Sequence, residues 1–85
     1  MEKQFHVKIL TSESRVFEGE AVSLVVPAAL GYLGVLAGHA PLIAGLMPGK
    51  IIVRQGPGLP QVIQNKGKGF LEVIDNQATL LLDSV

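Results

Sequence analysis

The sequence predicts an all-β fold, a flattened antiparallel sandwich or barrel of about eight to ten short strands. Short stretches of alternating apolar and polar residues favour strands, and no segment has the 3.6-residue period of a helix. Ten glycines and five prolines interrupt the chain at short intervals. We expect one domain over residues 1–85, because so short a chain cannot build two cores of useful size.

The first predicted strand covers residues 4–11, where Phe5, Val7 and Ile9 alternate with polar side chains. Thr11 begins a polar turn that leads to the second strand.

The second predicted strand covers residues 16–26, which are rich in β-branched side chains. We interpret Gly19 as a bulge and Pro27 as the end of the ladder, because proline has no backbone N–H to donate. Residues 28–49 contain too many glycines and prolines for a helix and predict short strands joined by tight turns.

The rest of the chain repeats this pattern. Further strands are predicted at residues 50–55, 62–63, 70–74 and 78–83, with turns at 56–60 and 65–68. Asp75, Asn76 and Gln77 predict a tight turn that makes the last two strands a hairpin. Residues 80–82 are all leucine, so the last strand should either lie centrally with both sides covered or present one side to a partner.

Composition excludes several classes of function. Seven basic and seven acidic residues give zero formal net charge, which argues against nucleic acid as a partner. There is no cysteine, hence no disulfide framework.

Hydrophobic residues make up 48% of the chain, so we expect another subunit to cover part of its apolar surface. The start lacks a signal-peptide core and no apolar run reaches the roughly 20 residues that span a bilayer, so we expect the chain to stay where it is made.

Reactive chemistry is largely absent from the sequence. Two distant histidines and no cysteine predict neither a metal site nor a cofactor, and no serine has an elbow-type glycine context. Residues 67–69 are interpreted as a turn rather than a phosphate cradle.

Lys50, after Pro48-Gly49, leaves a biotinyl- or lipoyl-like carrier or accessory domain as the alternative function. His39 is interpreted as a hydrogen-bond donor that braces a loop, with general-base catalysis as the alternative.

Residues 31–42 form the most distinctive segment. Its glycines permit sharp turns, and it carries apolar side chains on a partly exposed loop. From physical arguments alone, Tyr32 and Leu33 are either core residues beneath the loop or contact residues for a partner.

This segment resembles the epsilon subunit of F-type ATP synthase, in its N-terminal β-sandwich domain. The family signature runs Gly-Glu-Leu-Gly, a few variable residues, then Gly-His-Ala-Pro-Leu. The matching residues are Gly31, Leu33, Gly34, Gly38, His39, Ala40, Pro41 and Leu42. Pro48-Gly49 with Ile51, the Gly-Phe-Leu-Glu-Val of residues 69–73, and Phe5 with Phe17 and Gly19 extend the resemblance over essentially the whole chain.

Three departures from the family pattern stand out. Tyr32 replaces a common acidic residue that meets a polar loop of the rotor ring, and Ala37 replaces a frequent proline. The family usually continues into a C-terminal helical hairpin, and residues 82–85 fall where the linker to it would begin. The resemblance therefore implies neither the hairpin's inhibition of ATP hydrolysis nor its nucleotide site.

The resemblance implies a non-catalytic rotor subunit that links the gamma shaft to the c-ring, as part of F1 with the alpha and beta subunits. The expected ring contacts are Ala29, Leu30, Gly31, Tyr32 and Leu33, and the expected gamma contacts are His39, Ala40, Pro41 and Leu42. The implied location is peripheral, on the cytoplasmic face of a bacterial inner membrane, with the stromal face of the thylakoid as the alternative.

Overall fold

The computed structural model describes residues 3–85, so Met1 and Glu2 of the predicted domain 1–85 lie outside the described residues. The described chain forms nine strands: β1 Phe5–Leu10, β2 Arg15–Ala21, β3 Ser23–Ala28, β4 Gly31–Val35, β5 Leu42–Leu46, β6 Gly49–Arg54, β7 Gln61–Asn65, β8 Gly69–Ile74 and β9 Gln77–Leu82. No helix in these residues is long and apolar enough to cross a membrane.

The strands follow one hydrogen-bonded path, β2-β1-β9-β8-β5-β3-β6-β7, with β4 paired to β3. Only one residue pair, Ala28 with Leu46, joins β5 to β3, so the path divides into two sheets. We call β2-β1-β9-β8-β5 the first sheet and β4-β3-β6-β7 the second sheet. Buried side chains from both sheets form a single cluster. The predicted flattened all-β sandwich is confirmed.

The core follows the predicted alternation along the strands. Its largest members are Phe5, Val7, Ile9, Leu24, Val26, Leu46, Ile51, Val53, Leu71 and Leu80. Asn65 is the buried polar residue of the described chain. Its Nδ2 donates to the Met47 carbonyl at 2.9 Å, and its Oδ1 accepts the Gly67 N–H at 3.4 Å, which satisfies the buried amide.

The predicted strand over residues 16–26 is wrong in one respect, because it is two strands. The chain bends at Val22, whose N–H donates to the Arg54 carbonyl at 2.8 Å. Before the bend β2 pairs with β1, and after it β3 pairs with β4 and β6. A β-branched run favours strand on both sides of such a bend, so local sequence does not reveal where the chain changes sheets.

The roles predicted for Gly19 and Pro27 are also wrong. The register shift lies between Ile9 and Leu10, whereas Gly19 pairs regularly with Val7. Pro27 lies inside β3, and its carbonyl accepts the Met47 N–H at 2.8 Å. The β3–β6 ladder has ended at Val25, so the missing donor of Pro27 breaks no bond on that side.

The last two strands form the predicted hairpin. Asp75 and Asn76 have φ of 50° and 60°, the pattern of a two-residue turn with both central residues left-handed. β9 lies centrally, between β8 and β1, but Leu81 on one of its sides is 52% exposed. The predicted central strand with both sides covered is therefore wrong, and the alternative, that one side faces a partner, stays a prediction. The pairing of β9 with β1 is parallel, which differs from the antiparallel prediction. The two strands come from opposite ends of the chain, so no short connection fixes their relative direction.

Candidate protein-interaction surface

The hairpin between β3 and β4 presents apolar side chains to solvent. Ala29 and Leu30 form its turn, and Gly31 follows at φ +123°, a conformation that favours glycine. Leu30 is fully exposed and Tyr32 is 62% exposed. Leu33 instead packs partly buried against the core. Of the two roles left open for these residues, Tyr32 therefore has the exposure of a contact residue and Leu33 has the packing of a core residue.

Tyr32 has a fixed position on the second sheet. Its hydroxyl accepts the Lys50 N–H at 3.4 Å. A Cβ at Gly49 would lie 3.0 Å from that hydroxyl and 2.9 Å from the Pro27 Cβ, so glycine is what lets the ring lie close to the backbone. Lys50 itself lies within β6, opposite Gln64, and not on the hairpin tip that the carrier alternative requires.

The second predicted contact segment, residues 39–42, closes the β4–β5 loop. The Nδ1–H of His39 donates to the Ala40 carbonyl at 2.7 Å, which confirms the loop-bracing role. Ala40 and Pro41 are exposed, and Leu42 begins β5 and packs against the core. The loop is also held from outside, because the Gly38 N–H donates to Oδ1 of Asn76 at 2.8 Å.

The two predicted contact segments lie at opposite ends of β5. Leu42, the first residue of β5, pairs with Val73 near the β8–β9 turn. Leu46, the last residue, pairs with Ala28 beside the β3–β4 hairpin. A single small contact therefore cannot cover both segments, which remain two separate predicted contact surfaces.

A third surface lies on the outer face of the first sheet. The sequence predicted, as one alternative, an exposed side on the last strand, but not the neighbouring residues that extend it. Strand register places Leu10 opposite Leu81, and Leu81 opposite Phe70. Phe70 and Leu81 are 62% and 52% exposed. On β5, Gly45 stands opposite Phe70, and Ile43, two residues earlier on the same face, is 74% exposed. We call Leu10, Leu81, Phe70 and Ile43 the outer apolar row. The run of three leucines in β9 was the one sequence signal of this face.

A shallow groove connects the hairpin with the outer apolar row. Two cavities of about 330 Å³ each share Ala29 and Gly45 in their linings. One extends along the β3–β4 hairpin and the other extends towards Met47 and Phe70. We call this feature the Gly45 groove. A side chain could be added at its floor, since nothing lies within 4 Å of a Cβ built on Gly45.

The charged side chains with defined partners lie elsewhere, on β1 and β2. Nδ1 and Nε2 of His6 lie 2.7 and 2.8 Å from carboxylate oxygens of Glu20 and Glu18. The hydrogen bonds with Glu20 and then Glu18 raise the pKa of His6 above its usual value. The hydrogen bond from Arg15, and to a smaller extent the one from His6, lowers the pKa of Glu18.

The described histidines and carboxylates are not grouped as a metal site. No cluster of three or more His, Asp or Glu side chains suited to a metal ion is present within residues 3–85. In the same part of the chain, no hydrogen bond joins the His39 ring to a carboxylate that would orient it as a general base.

Comparison with known proteins agrees with this architecture. The family model described as the ATP synthase delta/epsilon chain, β-sandwich domain, matches residues 4–85. The ATP synthase epsilon chain of Dichelobacter nodosus is 40% identical over 83 residues, which cover 98% of this chain and 57% of that protein. The epsilon chain of Leptospira borgpetersenii is 38% identical, over 94% of this chain and 61% of that protein. The chain thus spans about three fifths of the curated relatives it matches.

Two solved structures share the fold. A chain of the Euglena gracilis mitochondrial ATP synthase, solved with OSCP, F1 and c-ring, aligns with a TM-score of 0.84 at 21% identity, covering 93% of this chain and 50% of that chain. A chain of the Tetrahymena thermophila mitochondrial ATP synthase central stalk and c-ring aligns at 0.78 and 12% identity, covering 98% and 66%. At these identities the structural likeness shows the fold alone. The family resemblance predicted from the sequence motifs is confirmed by the family match over residues 4–85.

Proposed function

The chain belongs to the β-sandwich domain family of the ATP synthase delta and epsilon chains, and on this premise we propose that it is a non-catalytic part of the central stalk of an F-type ATP synthase. In this role it links the gamma shaft to the c-ring, so that ring rotation driven by ion flow turns the shaft and supports ATP synthesis. The observation that supports the proposal is that residues 29–33 and 39–42 lie at opposite ends of β5 on one closely packed domain, and we call these two segments the docking ends.

Each docking end is assigned to one partner. The β3–β4 hairpin, residues 29–33, contacts the c-ring, and its fully exposed Leu30 is the foremost contact residue. Residues 39–42 contact gamma, and the adjoining Ile43 extends that contact onto the outer apolar row. Apolar side chains of this kind are typical of the buried core of a stable interface.

The domain transmits torque because it is stiff. One buried cluster joins the two sheets, and close-packed interiors resist deformation. A permanent assembly generally buries more than about 2,000 Å² of surface, and we expect the two docking ends to share it. Transmitting torque requires no reactive group on this domain. The chemistry of the ATP synthase belongs to the alpha and beta subunits.

The location follows from the partners. A domain held between gamma and the c-ring is peripheral to the membrane through the complex. The bacterial origin of the most similar relatives reported above favours the cytoplasmic face of a bacterial inner membrane over the thylakoid.

Co-purification from native membranes tests the proposed function. The tagged chain should bring down gamma together with the catalytic subunits. Replacing Leu30 by aspartate should uncouple ATP hydrolysis from proton pumping without unfolding the domain, since Leu30 is fully exposed. The matched control is Leu59→Asp, because Leu59 is 98% exposed on the distant 56–60 turn. Recovery of the chain alone from an intact lysate, or equal pumping by the Leu30 variant and wild type, would contradict the proposal.

A further inference from the structure

The outer face of the first sheet is ordered about its middle strand. Its three central strands are β1, β9 and β8, with β9 in the middle. Strand register arranges their outward side chains in three rows, each with one residue from every strand. The first row is Leu10, Leu81 and Phe70, the second is Lys8, Thr79 and Glu72, and the third is His6, Gln77 and Ile74. The two flanking strands therefore match each other row by row across β9.

The second row carries opposite charges on its two sides. Lys8 on β1 and Glu72 on β8 both pair with Thr79 of β9. Two strand spacings, about 10 Å, separate their backbones, and neither forms an ion pair within residues 3–85. Lys8 interacts with Glu18 at longer range. Both charges thus keep the capacity to pair with a group outside the chain.

We propose that this face binds a second copy of the chain, about a two-fold axis that runs along β9. Rotation by 180° about that axis places β1 of each copy over β8 of the other. Lys8 then lies over Glu72 of the second copy, and the same ion pair recurs on the other side of the axis. Leu10 packs on Phe70 of the second copy in the same way, and the two copies of Leu81 meet on the axis.

A second copy is the occupant because the face is complementary to itself. A two-fold contact needs a surface on which each charge meets its opposite and each apolar group meets an apolar group. The first and second rows meet both conditions. In the third row, His6 faces Ile74 of the second copy. Its ring nitrogens are already bound to Glu20 and Glu18 of its own chain, so the contact leaves no unpaired polar atom on the ring. The inference does not depend on the stalk role.

The size of the face sets the strength of the contact. Three strands of six residues each make a patch of about 15 by 20 Å. The twist of two packed sheets turns the flanking strands β2 and β5 away from the contact, so they add little area. A patch of this size is at the lower end of specific interfaces. The dimer should therefore be weak, with a dissociation constant of about 10–100 μM.

Charge reversal tests the proposed pairing, with sedimentation equilibrium of the purified chain as the measurement. Lys8→Glu and Glu72→Lys should each weaken dimerisation about tenfold, since each brings like charges together at two symmetric sites. The combined variant should return to within about threefold of wild type, because it restores both ion pairs. Lys50→Glu is the control for net charge, since Lys50 lies on β6 of the second sheet, and should change dimerisation less than about twofold. No recovery in the combined variant, or an equal loss in the control, would overturn the inference.

Cross-linking locates the axis independently of charge. The chain has no cysteine, so a single thiol can be introduced. Thr79→Cys places that thiol on the axis, and a bifunctional thiol reagent about 10 Å long, the spacing of packed sheets, should join two copies. Leu59→Cys, on the exposed 56–60 turn, should give at least about tenfold less linked dimer.

Three results of these measurements would overturn the inference. The first is equal linking of the two cysteine variants. The second is wild type that stays monomeric at about 1 mM. The third is monomeric wild type whose binding to purified gamma is lost in Glu72→Lys, which would assign the face to gamma instead of a second copy.

Discussion

At the scale of single residues, His6 is the group most sensitive to pH. Both ring nitrogens lie within hydrogen-bond distance of carboxylates, and both can donate only when the imidazole is protonated. Lys8 and Arg15 stand on the same face and interact with Glu18. The cluster therefore pins β1 to β2 most firmly when His6 is charged.

The pKa of His6 should be higher in the folded protein than in the unfolded chain. The contribution of protonated His6 to stability should therefore depend on pH. The contribution is fully present below the unfolded pKa of about 6.5 and is lost as the pH rises through the higher folded value. NMR titration of the His6 ring measures the shift directly. Glu20→Gln should lower the His6 pKa, whereas Glu13→Gln, on the turn after β1, should leave it unchanged. An equal effect of the two variants would show that the shift does not arise from the Glu20 contact.

Gly69 shows how a single backbone position controls the first sheet. A Cβ there would lie 2.4 Å from the Leu81 carbonyl oxygen, a backbone atom that cannot move without disturbing β9. Gly69→Ala should therefore lower the free energy of unfolding by about 2–3 kcal/mol, measured by urea denaturation. Gly34→Ala, in open space, should stay within about 0.5 kcal/mol of wild type. Similar losses in both variants would indicate a general cost of removing glycine and not this close approach.

At the scale of elements, the β8–β9 turn holds two other segments in place. Nδ2 of Asn76 donates to the Gln4 carbonyl at 2.9 Å, and its Oδ1 accepts the Gly38 N–H at 2.8 Å. The Asn76 carbonyl also accepts the His6 N–H at 3.1 Å. One turn residue thus joins the start of β1 to the loop that carries the predicted gamma contacts.

Substitutions at this turn separate its backbone role from its side-chain role. Asn76→Gly keeps the left-handed backbone but removes two hydrogen bonds, and should cost about 1–2 kcal/mol of unfolding free energy. Asn76→Ala should cost about 1 kcal/mol more, because alanine is strained at positive φ. Asp75→Gly is the control, since Asp75 shares the positive φ, and should be neutral within about 0.5 kcal/mol. Hydrogen exchange at the Gly38 amide should accelerate in both Asn76 variants, and unchanged exchange would contradict the bracing role.

These elements also show what the sequence can and cannot predict. The Asp75-Asn76 turn was predictable because left-handed turns depend on the chemistry of their own residues. The change of sheet at Val22 was not predictable, because it depends on a hydrogen bond to Arg54, far along the chain. The outer apolar row could be identified only from the register of four strands. Residues 29–33 and 39–42 stay predicted contacts, which rest on the family motifs and not on periodicity.

At the scale of the whole molecule, the two sheets depend on each other. Only the Ala28–Leu46 pair links their ladders, but every large core side chain belongs to one shared cluster. The parallel β1–β9 pair also places the first and last strands side by side at the centre of the first sheet. Neither sheet can bury its apolar face alone, so the domain should unfold as one cooperative unit and resist shear between its two docking ends.

The exposed surfaces predict how the isolated domain behaves without partners. Zero net charge gives no repulsion between copies, and the outer apolar row offers a face for self-association. Sedimentation of the purified chain should show an apparent mass that rises with concentration above 9.0 kDa. Phe70→Lys with Leu81→Lys should hold it monomeric, by removing apolar area and adding like charge on that face. A single Leu59→Lys control should not, because Leu59 lies outside the row; equal rescue by the control would mean that net charge, and not the row, governs association.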